Sequence, residues 1–279
     1  MWSADRPQFN AAEVASSCVF GIRNAALRQA VRNALAAIEA NGEEYKSLGA
    51  AERLHEVTAS SHRVPGVDSK SLKWLYESKL ANPSSKARKY YDRIMANAPD
   101  GRCVYCLHNV ATTLDHFAPK ASISAFAIDP YNLVPACKDC NHALGESWSV
   151  DPTEQLLHPY FLPRTGRWLF ASIRQGVIPA VMFHVRPEAR LPDVQRLRMI
   201  EQFERLRLAV LYSTLAAQEI SRLIRKLPVL FSTESARREH LSEAAQSILV
   251  DDPNDWRGAM FEALADDDWF CRNGYLEPS

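Results

Sequence analysis

Residues 103–106 read CVYC, residues 113–120 read TLDHFAPK, and residues 131–141 read YNLVPACKDCN. The outer two segments each carry a Cys-x-x-Cys pair, Cys103/Cys106 and Cys137/Cys140, with 30 residues between the pairs. A Cys-x-x-Cys turn delivers two thiolates to one ion, and two such turns complete the closed tetrahedral donor set of a structural zinc site. The separation exceeds the usual zinc-ribbon spacing, so the chain between the pairs must hold more than a turn. The competing reading is two unrelated pairs of buried or redox-active thiols; zinc content separates the two, because a filled four-cysteine site leaves no free dithiol. Cys18 and Cys271, the remaining cysteines, have no cysteine neighbour in sequence and read as plain thiols.

The residues between and beside the pairs include an acid, an imidazole and an amide, groups of the kind expected in metal-assisted phosphodiester hydrolysis. That reaction needs a base to activate water, a cation to absorb charge on the leaving oxygen, and a fixed alignment of both. His116 is the natural base, since imidazole titrates near neutrality. Asp115 is a hard oxygen ligand suited to Mg²⁺ or Mn²⁺, and the amide oxygen of Asn141 can be a second one. Adjacent residues on a strand point to opposite faces, so a strand carrying Asp115 and His116 must end or distort there if both serve one site.

The order Cys-x-x-Cys, Asp-His, Asn-Leu-Val-Pro, Cys-x-x-Cys-Asn resembles the HNH endonuclease family. The resemblance covers about one sixth of the chain. It implies a β-hairpin followed by a helix, with a catalytic metal at their junction. It assigns metal ligation to Asp115 and Asn141, the base to His116, and to Asn132 the middle Asn that fixes the loop and orients the histidine. Many relatives carry His where Asn141 stands, some add another His at the position of Gly145, and Lys or Arg is common at the position of Leu144. An oxygen-rich pair of ligands favours Mg²⁺ or Mn²⁺ at the catalytic position, with Zn²⁺ confined to Cys103, Cys106, Cys137 and Cys140. Lys120 reads either as a phosphate contact or as a solvated loop lysine. His158, in the HPYF segment, reads either as a cleft residue or as a buried structural one.

Outward from this core the chain falls into three regions. Residues 1–98 read as helical. Leu27, Val31, Leu35 and Ile38 mark one buried helix face, Asn41-Gly42 is expected to stop that helix, and further helices are expected over residues 71–79 and 85–95. Residues 99–160 hold the nuclease-like module. Residues 161–279 open on two candidate strands, WLFASI and VIPAVMFHV. A single long helix is then expected from about residue 193 to 226, ended by Pro228, with Leu197, Ile200, Phe203, Leu206, Leu208, Leu211 and Leu215 as its apolar stripes. The expected fold class is therefore α+β: a mostly helical chain with a central zinc-stapled ββα-metal module.

Composition sets outer bounds. The 279 residues carry 33 Lys/Arg and 33 Asp/Glu, which argues against a uniformly basic surface. Residues 70–120 nevertheless carry nine basic against four acidic residues, and residues 251–279 carry two against eight. A basic stretch beside the candidate site is what a phosphate-binding enzyme needs, although both stretches are also compatible with solvated helix faces. No apolar run approaches the ~20 residues needed to span a bilayer. The N-terminal MWSADRPQFN lacks the basic start and apolar stretch of a secretory signal. The expectation is a cytoplasmic protein with no membrane partner.

These readings converge on a metal-dependent endonuclease acting on DNA, with RNA as the second candidate substrate. The alternative is a zinc-stabilised nucleic-acid-binding or scaffold module without activity, and the presence of Asp115, His116 and Asn141 argues against it, since a pure zinc module needs only the cysteines. A Tyr-Tyr helix followed by Cys-x-x-Cys, Asp-His and HPYF resembles HNH subunits of bacterial anti-phage systems, some of which work beside an ATPase. The apolar stripes and acidic tail add the expectation of a homo-oligomer or a partner complex.

Overall fold

Asn10 opens the first helix, α1 (Ala11–Cys18), with a capping box: its side chain accepts from the Glu13 amide at 2.9 Å, and the Glu13 carboxylate accepts from the Asn10 amide at 2.8 Å. Asn24 caps α2 (Ala25–Asn33) in the same position, and α3 (Leu35–Ala50) follows after a break at Ala34. The computed structural model describes residues 4–162, 166–176 and 178–276.

The expected single helix carrying Leu27, Val31, Leu35 and Ile38 is two, broken at Ala34, with Val31 and Ile38 buried and Leu27 and Leu35 half-buried. The expected stop at Asn41-Gly42 does not occur, because α3 runs through it to Ala50. The missing side chain serves packing instead: a Cβ at Gly42 would lie 2.6 Å from Oδ2 of Asp129, so glycine lets that loop close onto the helix. Asp68 caps α4 (Ser69–Leu75), which passes directly into a π-helical turn, Tyr76–Leu80, and α5 (Arg88–Met95) follows.

Two short strands come next. β1 (Thr113–His116) pairs antiparallel with β2 (Leu133–Ala136), with Asp115 opposite Val134 and His116 opposite Leu133. Cys137 then caps α6 (Lys138–Leu144), so the central segment has the order strand, strand, helix. Helix α5 packs against this small sheet, and α3 reaches the loop between its strands, including the 3₁₀ turn that carries Asn132. The central segment is thus built into the N-terminal helices. Residues 1–163 form one compact unit and residues 164–279 a second.

In the second unit β3 (Leu169–Arg174) and β4 (Ala180–Val185) form an antiparallel pair matching the two candidate strands, with Val177 of the second segment outside the described residues. The expected single helix is two: α7 (Asp193–Arg205) and α8 (Leu208–Leu230). Arg207 takes a left-handed conformation at φ 52°, and the resulting bend lets both helices meet β4. One straight helix over that span would run roughly 50 Å and leave the strand pair behind. The buried face of α8 is Leu208, Tyr212, Ala216, Ile220, Leu223 and Leu227, whereas Leu197 and Ile200 of α7 are exposed. Pro228 sits inside the last turn of α8 rather than ending it. Helices α9 (Glu234–Asp251), α10 (Trp256–Asp266) and α11 (Asp268–Cys271) complete the unit. Part of the acidic tail is engaged here: Asp255 and Asp267 cap helices, and Asp268 pairs with Arg238. No helix among the described residues is long and apolar enough to cross a membrane.

Candidate metal and reaction centre

The two Cys-x-x-Cys turns meet. The sulfurs of Cys103, Cys106, Cys137 and Cys140 all lie within 4.8 Å of one another, and all four residues are buried and free of disulfides. The first turn is closed by the Cys103 amide donating to the Asn109 carbonyl at 2.8 Å and by Leu107 at a φ of 57°. It is tied to the second through the Val104 amide and the Pro135 carbonyl, 3.3 Å apart. The second turn is a helix start, with the Cys140 amide and the Asn109 side chain both donating to the Cys137 sulfur. The sulfurs hydrogen-bond one another. This holds Cys137 and Cys106 below the ordinary thiol value, Cys106 at about 7, and pushes Cys103 and Cys140 above it. Zinc–sulfur bonds of about 2.3 Å place tetrahedral sulfurs roughly 3.8 Å apart, so this donor set and spacing could hold a zinc ion.

Asp115 and His116 are the last two residues of β1. Because the strand ends there, adjacent side chains reach one cleft of about 240 Å³, lined by Asp115, His116, Asn141, Tyr76, Lys120 and Glu146 among others. Burial pushes the Asp115 carboxyl up to about 6, against the opposing pull of the Tyr105 hydroxyl, which donates to Oδ2 at 2.8 Å. Burial likewise pushes the His116 imidazole down to about 4, so at neutral pH the ring carries one proton. Nε2 lies 2.9 Å from the Ala127 carbonyl, which can only accept, so the proton sits on Nε2 and the lone pair on Nδ1. Tyr76 packs edge-on against the ring at 4.3 Å.

Asn132 is fully buried and its side chain makes four hydrogen bonds. Oδ1 accepts from the Ala118 amide at 2.6 Å and the Tyr45 hydroxyl at 2.9 Å, while Nδ2 donates to the Ala118 and Phe126 carbonyls. It thereby clamps both ends of the stretch that presents the Ala127 carbonyl to His116. Asn141 stands on the first turn of α6, half-buried in the cleft lining. Lys120 also lines the cleft, 2.8 Å from a Glu77 carboxylate oxygen and over the Tyr76 ring. His158 is elsewhere, buried among Tyr45, Phe117, Tyr160 and Phe161, with its imidazole pushed down to about 3 by burial. Cys18 and Cys271 are buried single thiols.

The chain is similar to a phage protein. Protein ea31 of Escherichia phage lambda is 28% identical to it over 239 residues, which is 79% of this chain and 80% of that one. No family's sequence profile matches the chain, and no solved structure matches it.

Three cleft contacts escaped the reading of the sequence. Tyr105 had a signal, being a polar aromatic inside the first cysteine turn and ten residues from Asp115. Glu146 lies only five residues beyond Asn141. Tyr76 comes from a separate helical segment and had no signal. The π-helical turn that begins at Tyr76 belongs to a class of distortion frequent at functional sites.

For a catalytic divalent ion, the donor set is one carboxylate and one amide oxygen in a common cleft, which suits a hard cation. A buried carboxyl held above its ordinary range is also one whose charged form a cation would stabilise.

Proposed function

We propose that this chain is an HNH-type endonuclease that hydrolyses phosphodiester bonds in DNA or RNA. One observation carries the reading: Asp115, His116 and Asn141 line one cleft, with the ring of His116 held through Nε2 by the Ala127 carbonyl. In this reading Asp115 and Asn141 hold Mg²⁺ or Mn²⁺, which when bound absorbs charge on the leaving oxygen. His116 takes a proton from water at Nδ1 as the water oxygen attacks phosphorus. Burial opposes the imidazolium that results, the Ala127 carbonyl favours it, and the charges of Lys120 and Glu77 act on it in opposite senses. Tyr105 orients the Asp115 carboxylate, and Asn132 keeps Ala127 in place. The zinc site staples the hairpin to α6. The proposed setting, an anti-phage system with an ATPase or other partner, rests on the resemblance of the motif layout.

The test is cleavage of plasmid, single-stranded DNA and RNA with Mg²⁺, Mn²⁺ or neither. His116→Ala is expected to lower cleavage by roughly 10²–10⁴-fold with zinc content and melting temperature retained. A variant that cuts as fast as the parent overturns the mechanism. Binding of nucleic acid with no cleavage by the parent under any condition replaces it with the inactive zinc-stabilised module.

A further inference from the structure

Residues 19–35 and 68–89 carry nine Lys/Arg against two acidic residues, Asp68 and Glu77, a net charge of +7 in a chain whose overall charge is zero. Both acids are engaged, Asp68 in capping α4 and Glu77 in pairing with Lys120. The cations gather around two clefts that share Gly21. One, of about 430 Å³, is lined by Phe20, Arg28 and Arg32; the other, of about 470 Å³, by Arg23, Lys70, Trp74 and Lys79. Among the described residues, no carboxylate lines either cleft. None of the five cations has an ion-pair partner among the described residues.

Each cleft also presents a large aromatic ring to solvent. Phe20 is 59% exposed and Trp74 is 36% exposed. Each ring already has an ammonium over it, Lys86 at 4.6 Å from the Phe20 centroid and Lys79 at 5.2 Å from that of Trp74. A base stacked on either ring finds a cation within reach of its phosphate. Stacking of this kind needs an open base face, which a single strand offers and a duplex hides.

Trp74 and Tyr76 lie on the same helical segment, and Tyr76 lines the cleft of Asp115 and His116. Lys73 stands on that segment between the two sides, half-buried; the Glu77 carboxyl is held below its ordinary value chiefly by Lys120, with a smaller contribution from Lys73. Cations thus continue from the Trp74 cleft over α4 to Lys120 at the reaction cleft.

We propose that the paired clefts around Gly21 bind a single-stranded polynucleotide, with Phe20 and Trp74 as base-stacking platforms and Arg23, Arg28, Arg32, Lys70 and Lys79 as phosphate contacts. The surface stands on its own charge and shape; delivery of the strand to Asp115 and His116 rests on the nuclease reading above.

Binding is measured by fluorescence anisotropy on the full-length His116→Ala protein, without added divalent ion, so that cleavage plays no part. The probes are a labelled oligo(dT) of about 20 nucleotides, its oligo(rU) counterpart and a DNA duplex of equal length. The expected result is tighter binding of at least one single strand than of the duplex, and comparison of the dT and rU arms identifies the sugar. Trp74→Ala should weaken that binding by roughly tenfold or more. The pair Arg28→Glu and Arg32→Glu, which leaves Trp74 in place, should flatten the salt dependence, the logarithmic slope falling by about 0.7 for each phosphate no longer neutralised. Arg222→Ala in the second unit is the neutral control. Equal or tighter duplex binding, or variants that bind as the parent does, overturns the proposal. Single-strand binding in a protein that cleaves nothing leaves the surface standing and removes the nuclease reading. Cleavage unaffected by Trp74→Ala, with no single-strand binding, does the reverse.

Discussion

The cysteine tetrad and the Asp115–His116 cleft both draw on α6, through Cys140 and Asn141, yet they are opposite kinds of site. The tetrad is four identical soft donors, all buried and facing one another. The cleft is open, with a carboxylate, an imidazole and an amide contributed by the end of one strand and the start of one helix. A set of donors that satisfy only each other and an ion has no vacancy for a substrate, and its natural role is to hold the chain. A set with unlike donors and space beside them can bind and react. The comparison predicts that damage to the tetrad removes structure and function together, while damage to the cleft removes function alone.

The largest effect should come from Cys137→Ser. Zinc binding of this type is folding energy, on the order of 10 kcal/mol in small zinc domains. Zinc content should drop to near zero, and residues around 100–145 should become sensitive to limited proteolysis, with any cleavage activity lost. A variant that keeps protease resistance without zinc would erase the distinction between staple and cleft.

Asp115→Ala should act on function only. Zinc and melting temperature should remain near those of the parent, cleavage should fall by roughly 10²-fold or more, and part of it should return at high Mg²⁺ or Mn²⁺. The defect of His116→Ala should not respond to metal, because the ion does not replace a base. Rescue of both variants by metal, or of neither, would merge the two roles.

The smallest effect concerns a buried acid that belongs to neither site. Asp129 is 2% exposed, and burial pushes its carboxyl up to about 7. Its native form therefore keeps a proton that the unfolded chain releases near pH 4. Stability from this group is fully present below about pH 4 and is lost as pH rises through about 7, by at most about 1.4 kcal/mol per pH unit across that window. Asp129→Asn should remove this slope, read as the difference between the two proteins in urea unfolding at pH 5, 6 and 7. Parallel curves would mean that the native carboxyl titrates as it does in the unfolded chain.

Much of the tetrad and part of the cleft were legible in the sequence. A Cys-x-x-Cys turn places two sulfurs together by local geometry alone, so two turns already define a donor set. Asp115-His116 beside the strand end and Asn141 on the helix after the second turn are likewise local placements. The apolar segments WLFASI and VIPAVMFHV located β3 and β4, and helical spacing located the main helical stretches, for the same reason. Breaks in helices were less legible. Gly42 is a strong local stop signal, but the fit of Asp129 against α3 outweighs it. No proline or glycine marks Arg207, where α7 turns into α8 to follow β4.

What the sequence by itself determined is the identity and spacing of the donors: four thiols in two turns, an acid and an imidazole side by side, an amide just past the second turn. What only the tertiary structure decided is what surrounds them. Tyr105 reaches Asp115, the Ala127 carbonyl selects the proton-bearing nitrogen of His116, and Tyr76 closes the cleft from a segment some forty residues upstream. The same holds for the cations at Arg23, Arg28, Arg32, Lys70 and Lys79, which the sequence separates by as many as 56 positions and packing gathers around Gly21. Spacing within one turn is set by covalent geometry, whereas distant segments meet only once burial of their apolar faces has brought them together.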